Sequence, residues 1–373
     1  MNILFVVHGN GNGHQTQAIS LKEELESRGH HVSKCLLTSS GNTRQGNLLE
    51  KEFEDFGKIA GFELKYKKGV LDFPKTVLGN IVKFPRIVWA MNQINNMVHF
   101  YCPDLVVSFY DPIYQLAEKI YGLKVPYVSV GHMYMFEDRN FGFHEYDSRF
   151  SFLKIYNRLT CLDAKSVYSL SYFPSSNPNL NTVGPILRNS ILNSEGSESD
   201  HHRFSGYFHH LCDAQKFSKS MEKYTAFSGT IFSNTKKKIQ FSNTTILPID
   251  KDLFVSEVSK SQIFVSSSGF ESTSESLFLG KKILTIPIQN HIEQELNAKC
   301  LEEKGLVFPL YSWENLDDKL SKFLFDFVPN TDYLDEFRNF TKNSRLTLVK
   351  MIEQYADRKA EDKETEENDI EKE

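Results

Sequence analysis

Between Gln262 and Ile286 the chain reads as strand, turn, helix and strand with almost no residue to spare. Gln262-Ile263-Phe264-Val265 is a short apolar run of strand type, and Ser266-Ser267-Ser268-Gly269 supplies a turn whose glycine allows a sharp change of direction. The helix that follows carries Ser272 and Thr273 near its start and sets Glu275 and Leu279 four apart on one face. Gly280 ends it as a C-cap glycine would, and Ile283-Leu284-Thr285-Ile286 forms the next strand. Such a stretch is at least an ordinary α/β unit. It is also an anion site in waiting, because the unpaired N–H groups and dipole of a helix N-terminus favour phosphate.

The segment behind it separates those readings. Ile286-Pro287-Ile288-Gln289 leads into Glu293-Gln294-Glu295-Leu296-Asn297-Ala298, where a carboxylate and a carboxamide stand side by side. Such a pair can hydrogen-bond vicinal hydroxyls, which is how proteins hold sugars. The set resembles the donor half of GT-B glycosyltransferases: a Ser-Gly turn, Glu275 six residues after Gly269, a Gly-Lys strand, then Pro and Glu-Gln-x-x-Asn-Ala. By motif it is similar to the N-acetylglucosaminyl transferase of peptidoglycan synthesis, the galactolipid synthases and the nucleotide-sugar glucosyltransferases. The resemblance implies that Glu275 holds the nucleotide ribose and that Glu293 and Gln294 touch the donor sugar. Gly269, Ser272, Thr273, Gln289 and Asn297 complete the implied donor site. Glu293 stands where many members carry Asp, a departure of one methylene.

At the other end of the chain, Ile3 to Val7 is a buried-type strand that runs into His8-Gly9-Asn10-Gly11-Asn12-Gly13-His14. Gln15 to Arg28 is a helix by its spacing of Ala18, Leu21 and Leu25, and His31 to Leu37 is the next strand. This is the opening of a doubly wound sheet. A dinucleotide fingerprint needs glycine where His14 stands, and a P-loop needs Gly-Lys-Ser/Thr, which is absent. Gly11-Asn12-Gly13-His14 matches instead the Gly-x-Gly-His of the same glycosyltransferases. The resemblance places His14 near the acceptor hydroxyl, as a general base with a pKa near neutrality. Read without it, a lone histidine there is a helix-capping or structural residue.

The 373 residues are enough for two domains, and 40% hydrophobic content supports two cores. The net charge of −5 lies in the last 17 residues, where nine acidic side chains face four basic ones. The sequence predicts a disordered acidic tail over 357–373 and leaves no basic surface for nucleic acid. Five widely spaced cysteines without Cys-x-x-Cys read as reduced thiols, and no run spans a bilayer, so a cytoplasmic chain is expected. No metal-ligand spacing occurs, and neither a metal nor a cofactor is expected beyond the nucleotide sugar itself.

Residues 76–101 form the longest helical stretch, interrupted at Pro85, with Ile87, Met91, Ile94, Val98 and Tyr101 as its core stripe. Phe84, Val88 and Trp89 add apolar surface beside Lys83 and Arg86, which reads either as a helix over the sheet or as a peripheral membrane contact. His132, at the end of the strand Pro126–Val130, and Glu145 in the loop beyond line the acceptor side together with Gly11 and Gly13.

The fold expected is α/β of GT-B type, two Rossmann-like domains facing across a cleft. Its parts are an acceptor domain at 1–186, a linker or mobile loop at 187–203 and a donor domain at 204–331. A helix at 332–356 packs back on the first domain and the tail follows. Within the second domain Phe204–His210 and Tyr224–Phe227 are read as strands, and His209 and His210 stand where the peptidoglycan enzyme has a Gly-rich loop. The expected reaction is transfer of a hexosyl or N-acetylhexosaminyl group from a nucleotide sugar, UDP-linked by resemblance, to a hydroxyl of a glycan, lipid or small molecule. It inverts the anomeric carbon and needs no metal. Two rivals share the fold: a nucleotide-sugar 2-epimerase, which needs no acceptor, and a binder that never turns the donor over.

Overall fold

The structure, a computed structural model, describes residues 1–9, 12–39, 47–63, 65–67, 70–138, 141, 148–195 and 199–354. The acidic tail, Gly11 and Glu145 lie outside the described residues.

Ile3, Leu4, Phe5, Val6 and Val7 are completely buried, as a strand covered on both faces of a parallel sheet must be. Asn2–His8 is the third of the seven strands of the first sheet. Its neighbours are His31–Ser39 on one side and Leu105–Phe109 on the other, both parallel to it. Phe56–Ala60 closes the first edge; Tyr127–Gly131, Ser166–Leu170 and Asn181–Val183 extend the second. Helix Gly13–Ser27 covers one face through Ala18, Leu21 and Leu25. The other is covered by Phe84–Tyr101, whose buried stripe is Ile87, Ala90, Met91, Ile94 and Val98. The expected interruption of the long helix falls at Lys83, which ends Phe73–Val82 and begins Phe84–Tyr101, with Pro85 in the first turn where its missing N–H costs nothing.

A second seven-stranded sheet repeats the plan. Its order runs Ile239–Gln240, Thr244–Pro248, Ser228–Ser233, Asp200–Phe208, Ser261–Ser266, Lys282–Thr285, Val307–Pro309, and only the first pairing is antiparallel. Two expectations change here. The strand read at Tyr224–Phe227 is a turn, and Ser228–Ser233 is the strand, carried by Ile231 and Phe232 in a run whose small polar residues hide its period. The expected linker shortens too, since Asp200, His201 and His202 already belong to Asp200–Phe208 and Asn189–Leu192 is one helical turn.

Each sheet reverses its winding beside its first strand, and ligands collect at the carboxyl ends of strands flanking such a point. In the first sheet these ends are His8 and Phe109. In the second they are Phe208 and Ser266. The two halves are clasped by the chain's end: helix Thr331–Lys342 reaches helix Phe270–Phe278 through Arg338, whose Nε donates to the Phe278 carbonyl at 2.9 Å. Helical residues 344–354 then return to the first domain, where Leu348, Val349 and Ile352 are completely buried in one cluster with Ile3 and Leu25. Each such side chain contributes about 1.5–3 kcal/mol. Arg28 and His30 both bind Glu353, at 2.8 and 2.9 Å, and fix the helix end.

Candidate active site

His14 is the second residue of helix Gly13–Ser27, the helix that follows strand Asn2–His8. Its ring lies nearly parallel to Tyr110, 21° between planes and 5.7 Å between centres, and edge-on to His8 at 5.8 Å. Tyr110 is held at φ 55, in the left-handed region, which costs a tyrosine about 1–3 kcal/mol and needs the surroundings to impose it. The surroundings are Asp111, completely buried, which accepts from the Ile113 N–H at 2.8 Å, from the Thr38 hydroxyl, and lies 3.1 Å from His8 Nδ1. Burial, with His8 beside it, pushes the His14 pKa down to about 3. The expectation of an imidazole titrating near neutrality is corrected in direction: enclosure penalises the imidazolium and moves His14 toward the neutral form.

The second domain meets this helix with Phe270–Phe278, N-terminus facing N-terminus. Gly269 stands at the N-cap, but the left-handed residue of the turn is Ser268, at φ 63, rather than the glycine. Gly269 is required neither by its own φ of −69 nor by crowding, since a Cβ there would meet nothing nearer than Ser272 Oγ at 3.8 Å, and the space beside it is open. The backbone N–H groups of this first turn have no partner inside the helix. Ser272 is half-buried beside them, whereas Thr273 is completely buried and turns its hydroxyl to Ser266 Oγ at 3.4 Å, away from the helix start.

Glu275 is also buried, and both its oxygens are taken by Arg188, at 2.6 Å from Nε and 2.8 Å from Nη2. Arg188 comes from the connection between the domains. A ribose seeking the Glu275 carboxylate has to share it with that guanidinium. Glu293 is half-buried, its pKa raised to about 7 by burial, and its charge reaches Tyr110 and Tyr172 of the first domain. Gln294 accepts the Ile288 N–H at 2.9 Å, which holds the loop before the helix Ile292–Glu303, and Gln289 is exposed.

His132 does not line an open acceptor surface. It is buried, stacked on Phe270 with 3.7 Å between ring centres, its Nδ1 2.7 Å from the Leu170 carbonyl and its Nε2 2.6 Å from Asn297 Oδ1. The Asn297 amide in turn donates to the Ser268 carbonyl at 3.2 Å. His132 and Asn297 therefore tie the two domains together; burial lowers the His132 pKa to about 4, while the two oxygen acceptors its nitrogens face work in the opposite direction. Of the site residues read from sequence, His14, Gly13, Gly269 and Glu293 meet around the cleft, and Glu275 and Asn297 hold its frame.

Several residues at the cleft were not singled out in the sequence. Gln17 stands one turn after His14, its Oε1 3.3 Å from His14 Nδ1, and its Nε2 donates across the cleft to Glu271 Oε1 at 2.6 Å. Glu271 is buried, its Oε2 has no partner among the described residues, and burial with Glu275 and Glu293 nearby raises its pKa to about 8. Asp111 and Arg188 complete the set. The i, i+3 spacing of His14 and Gln17, and the place of Asp111 just past a strand adjacent to the first, were the available signals.

The model of glycosyl transferase family 1 matches residues 1–328. The chain belongs to that family. An uncharacterized glycosyltransferase of Methanosarcina mazei is 26% identical over 344 residues, covering 82% of this chain and 85% of its own. Another, of Methanosarcina acetivorans, is 23% identical over 341 residues and 82% of each chain. Among solved structures, the kitacinnamycin glycotransferase superposes with a TM-score of 0.66 at 13% identity, over 95% of this chain and 98% of its own. MurG of Acinetobacter baumannii gives 0.57 at 16%, over 95% and 99%. UGT2 of Phytolacca americana, solved with UDP-2-fluoroglucose and pterostilbene, gives 0.63 at 13%, over 95% and 99%. These likenesses establish the two-domain GT-B fold, and the family establishes a glycosyltransferase.

Proposed function

We propose that the protein moves a hexosyl or N-acetylhexosaminyl group from a uridine diphosphate sugar to an acceptor hydroxyl with inversion. The observation that carries this reading is the opposition of His14, at the switch point of the first sheet, to the helix N-terminus at Gly269 in the second. The diphosphate would lie on the free N–H groups after Gly269 beside Ser272, with Glu293 and Gln294 toward the sugar and Glu275 toward the ribose. His14 Nε2 would take the acceptor proton as the acceptor oxygen bonds the anomeric carbon and the bond from that carbon to the phosphate oxygen breaks. Negative charge developing on the leaving diphosphate would be met by the helix end, with no metal in the step. Uridine is taken from the motif resemblance; of the neighbours in fold, the plant enzyme was solved with a UDP sugar and SsfS6 of Streptomyces sp. with thymidine diphosphate.

The acceptor approaches from the first domain, where Leu78, Ile81, Val82, Phe84 and Trp89 are exposed on the helix pair 73–82 and 84–101, beside exposed Lys75 and Arg86. This surface suits peripheral contact with an anionic bilayer that presents a lipid acceptor. Among the described residues no helix is long and apolar enough to cross a membrane.

The test is a panel of nucleotide sugars read by thermal stabilisation and by nucleoside diphosphate release. A donor at a hundred times its dissociation constant adds about 2.7 kcal/mol. A panel in which no nucleotide sugar stabilises the protein or is consumed would remove the reading.

A further inference from the structure

The pair Gln17–Glu271 crosses from one domain to the other and ends on the nitrogen of His14 opposite the one a base would use. We propose that Gln17 and Glu271 are positioning residues that set the tautomer of His14, so that its Nε2 carries a lone pair only when the second domain is docked on the first. This rests on the reading of His14 as the general base.

Three observations carry it. Gln17 Nε2 donates to Glu271 Oε1 at 2.6 Å, so the amide oxygen is the atom left to face His14 Nδ1, 3.3 Å away. An amide oxygen only accepts, and Nδ1 must then hold the ring proton. Both side chains are more than nine-tenths buried, so water does not compete for either end of the bridge. The bridge is also closely packed: a Cβ on Gly13 would lie 3.2 Å from Glu271 Cγ, so the start of the His14 helix abuts the Glu271 side chain.

The amide could run the other way only if the carboxyl proton sat on Oε1 and donated to Gln17. That arrangement fits one protonation state of Glu271, whereas the observed direction fits both. Charged and titratable groups around the bridge are Glu275, Glu293 and Arg188 on the Glu271 side and His8 and His132 on the His14 side. None of them is hydrogen-bonded to Gln17 among the described residues. The consequence is a link between closure and chemistry. With the domains apart Gln17 loses its acceptor, its amide is free to turn, and the proton of His14 can move to Nε2.

The experiment is histidine ¹⁵N spectroscopy of the full chain, with the His14 signals assigned by their loss in His14→Gln. It is combined with the rate of UDP release from UDP-glucose or UDP-N-acetylglucosamine with water as acceptor. Wild type is expected to show Nδ1–H at neutral pH. Gln17→Leu and Glu271→Leu should shift the proton to Nε2 and lower kcat at least about tenfold with donor KM little changed. Glu271→Gln, which keeps an accepting oxygen for Gln17, should recover the wild-type tautomer and most of the rate, and it covers the case in which a leucine variant fails to fold. Nε2–H in wild type, or an unchanged tautomer in Gln17→Leu, would overturn the proposal; so would a rate loss in Glu271→Gln equal to that in Glu271→Leu. If wild type releases no UDP, the proposed function fails while the spectra still decide the bridge.

Discussion

Replacing Glu271 by glutamine should make the protein more stable at neutral pH, and the gain should vanish in acid. The Glu271 carboxyl rises from an ordinary 4.5 to about 8, first because burial disfavours its charge and then because Glu275 and Glu293 repel it. Below about 4.5 the group is protonated folded or unfolded and contributes nothing to the pH dependence. Between 4.5 and 8 the unfolded chain releases the proton and the folded chain keeps it, so stability falls as pH rises. At pH 7 the loss is 1.36 kcal/mol for each pH unit above 4.5, or about 3 kcal/mol. Glutamine has the same shape, offers Gln17 the same acceptor and does not titrate. The melting temperatures of wild type and Glu271→Gln should therefore coincide near pH 4 and separate by several degrees at pH 7. Glu293, raised to about 7 in the same window, titrates in both proteins and cancels from the difference. A difference that stays constant from pH 4 to pH 8, or one in which glutamine is the less stable at pH 7, would refute the burial argument.

Arg188→Met should cost about 3–5 kcal/mol in a denaturation curve, because it leaves the Glu275 carboxylate buried without its bidentate partner. His14→Gln should lower turnover by about 10²–10⁴-fold while calorimetry finds donor affinity close to wild type. In wild type the acid limb of kcat/KM that belongs to His14 should lie near pH 3, and that of kcat higher, since a bound diphosphate favours the imidazolium. Chelator should leave the rate unchanged. Val82→Asp with Trp89→Asp should abolish sedimentation with vesicles containing anionic lipid while leaving turnover of a water-soluble acceptor intact, since both side chains are exposed on the helix pair.

The fold was legible wherever burial leaves a period behind. Ile3–Val7 and Ile263–Val265 are completely or nearly completely buried strands, and both are short β-branched and aromatic apolar runs bounded by turn residues. Ser228–Ser233 was missed because its outer residues are Ser228, Gly229 and Thr230, which look like a turn until the flanking strands Asp200–Phe208 and Thr244–Pro248 give them hydrogen-bond partners. Register across a sheet is a tertiary fact, and a local reading has no access to it. The same holds for Thr273: its place in the first turn of a helix was readable, but the direction of its hydroxyl depends on Ser266 in the neighbouring strand.

The site divides along the same line. Positions such as His14 and Gly269 are set by chain geometry, a strand running into a turn and a helix, and they carry a recognisable spacing. Pairings such as Arg188 with Glu275, 87 residues apart, or Gln17 with Glu271, 254 apart, have none. Yet these pairings decide what the recognised residues can do. Arg188 takes both oxygens of the glutamate expected to meet a ribose, and Gln17 faces Nδ1 of His14, the nitrogen left over by the proposed role as base. Burial then shifts the protonation of each: His14 downward, Glu271 and Glu293 upward, all toward the neutral form. The carboxylate that keeps its charge here, Glu275, does so against the guanidinium of Arg188.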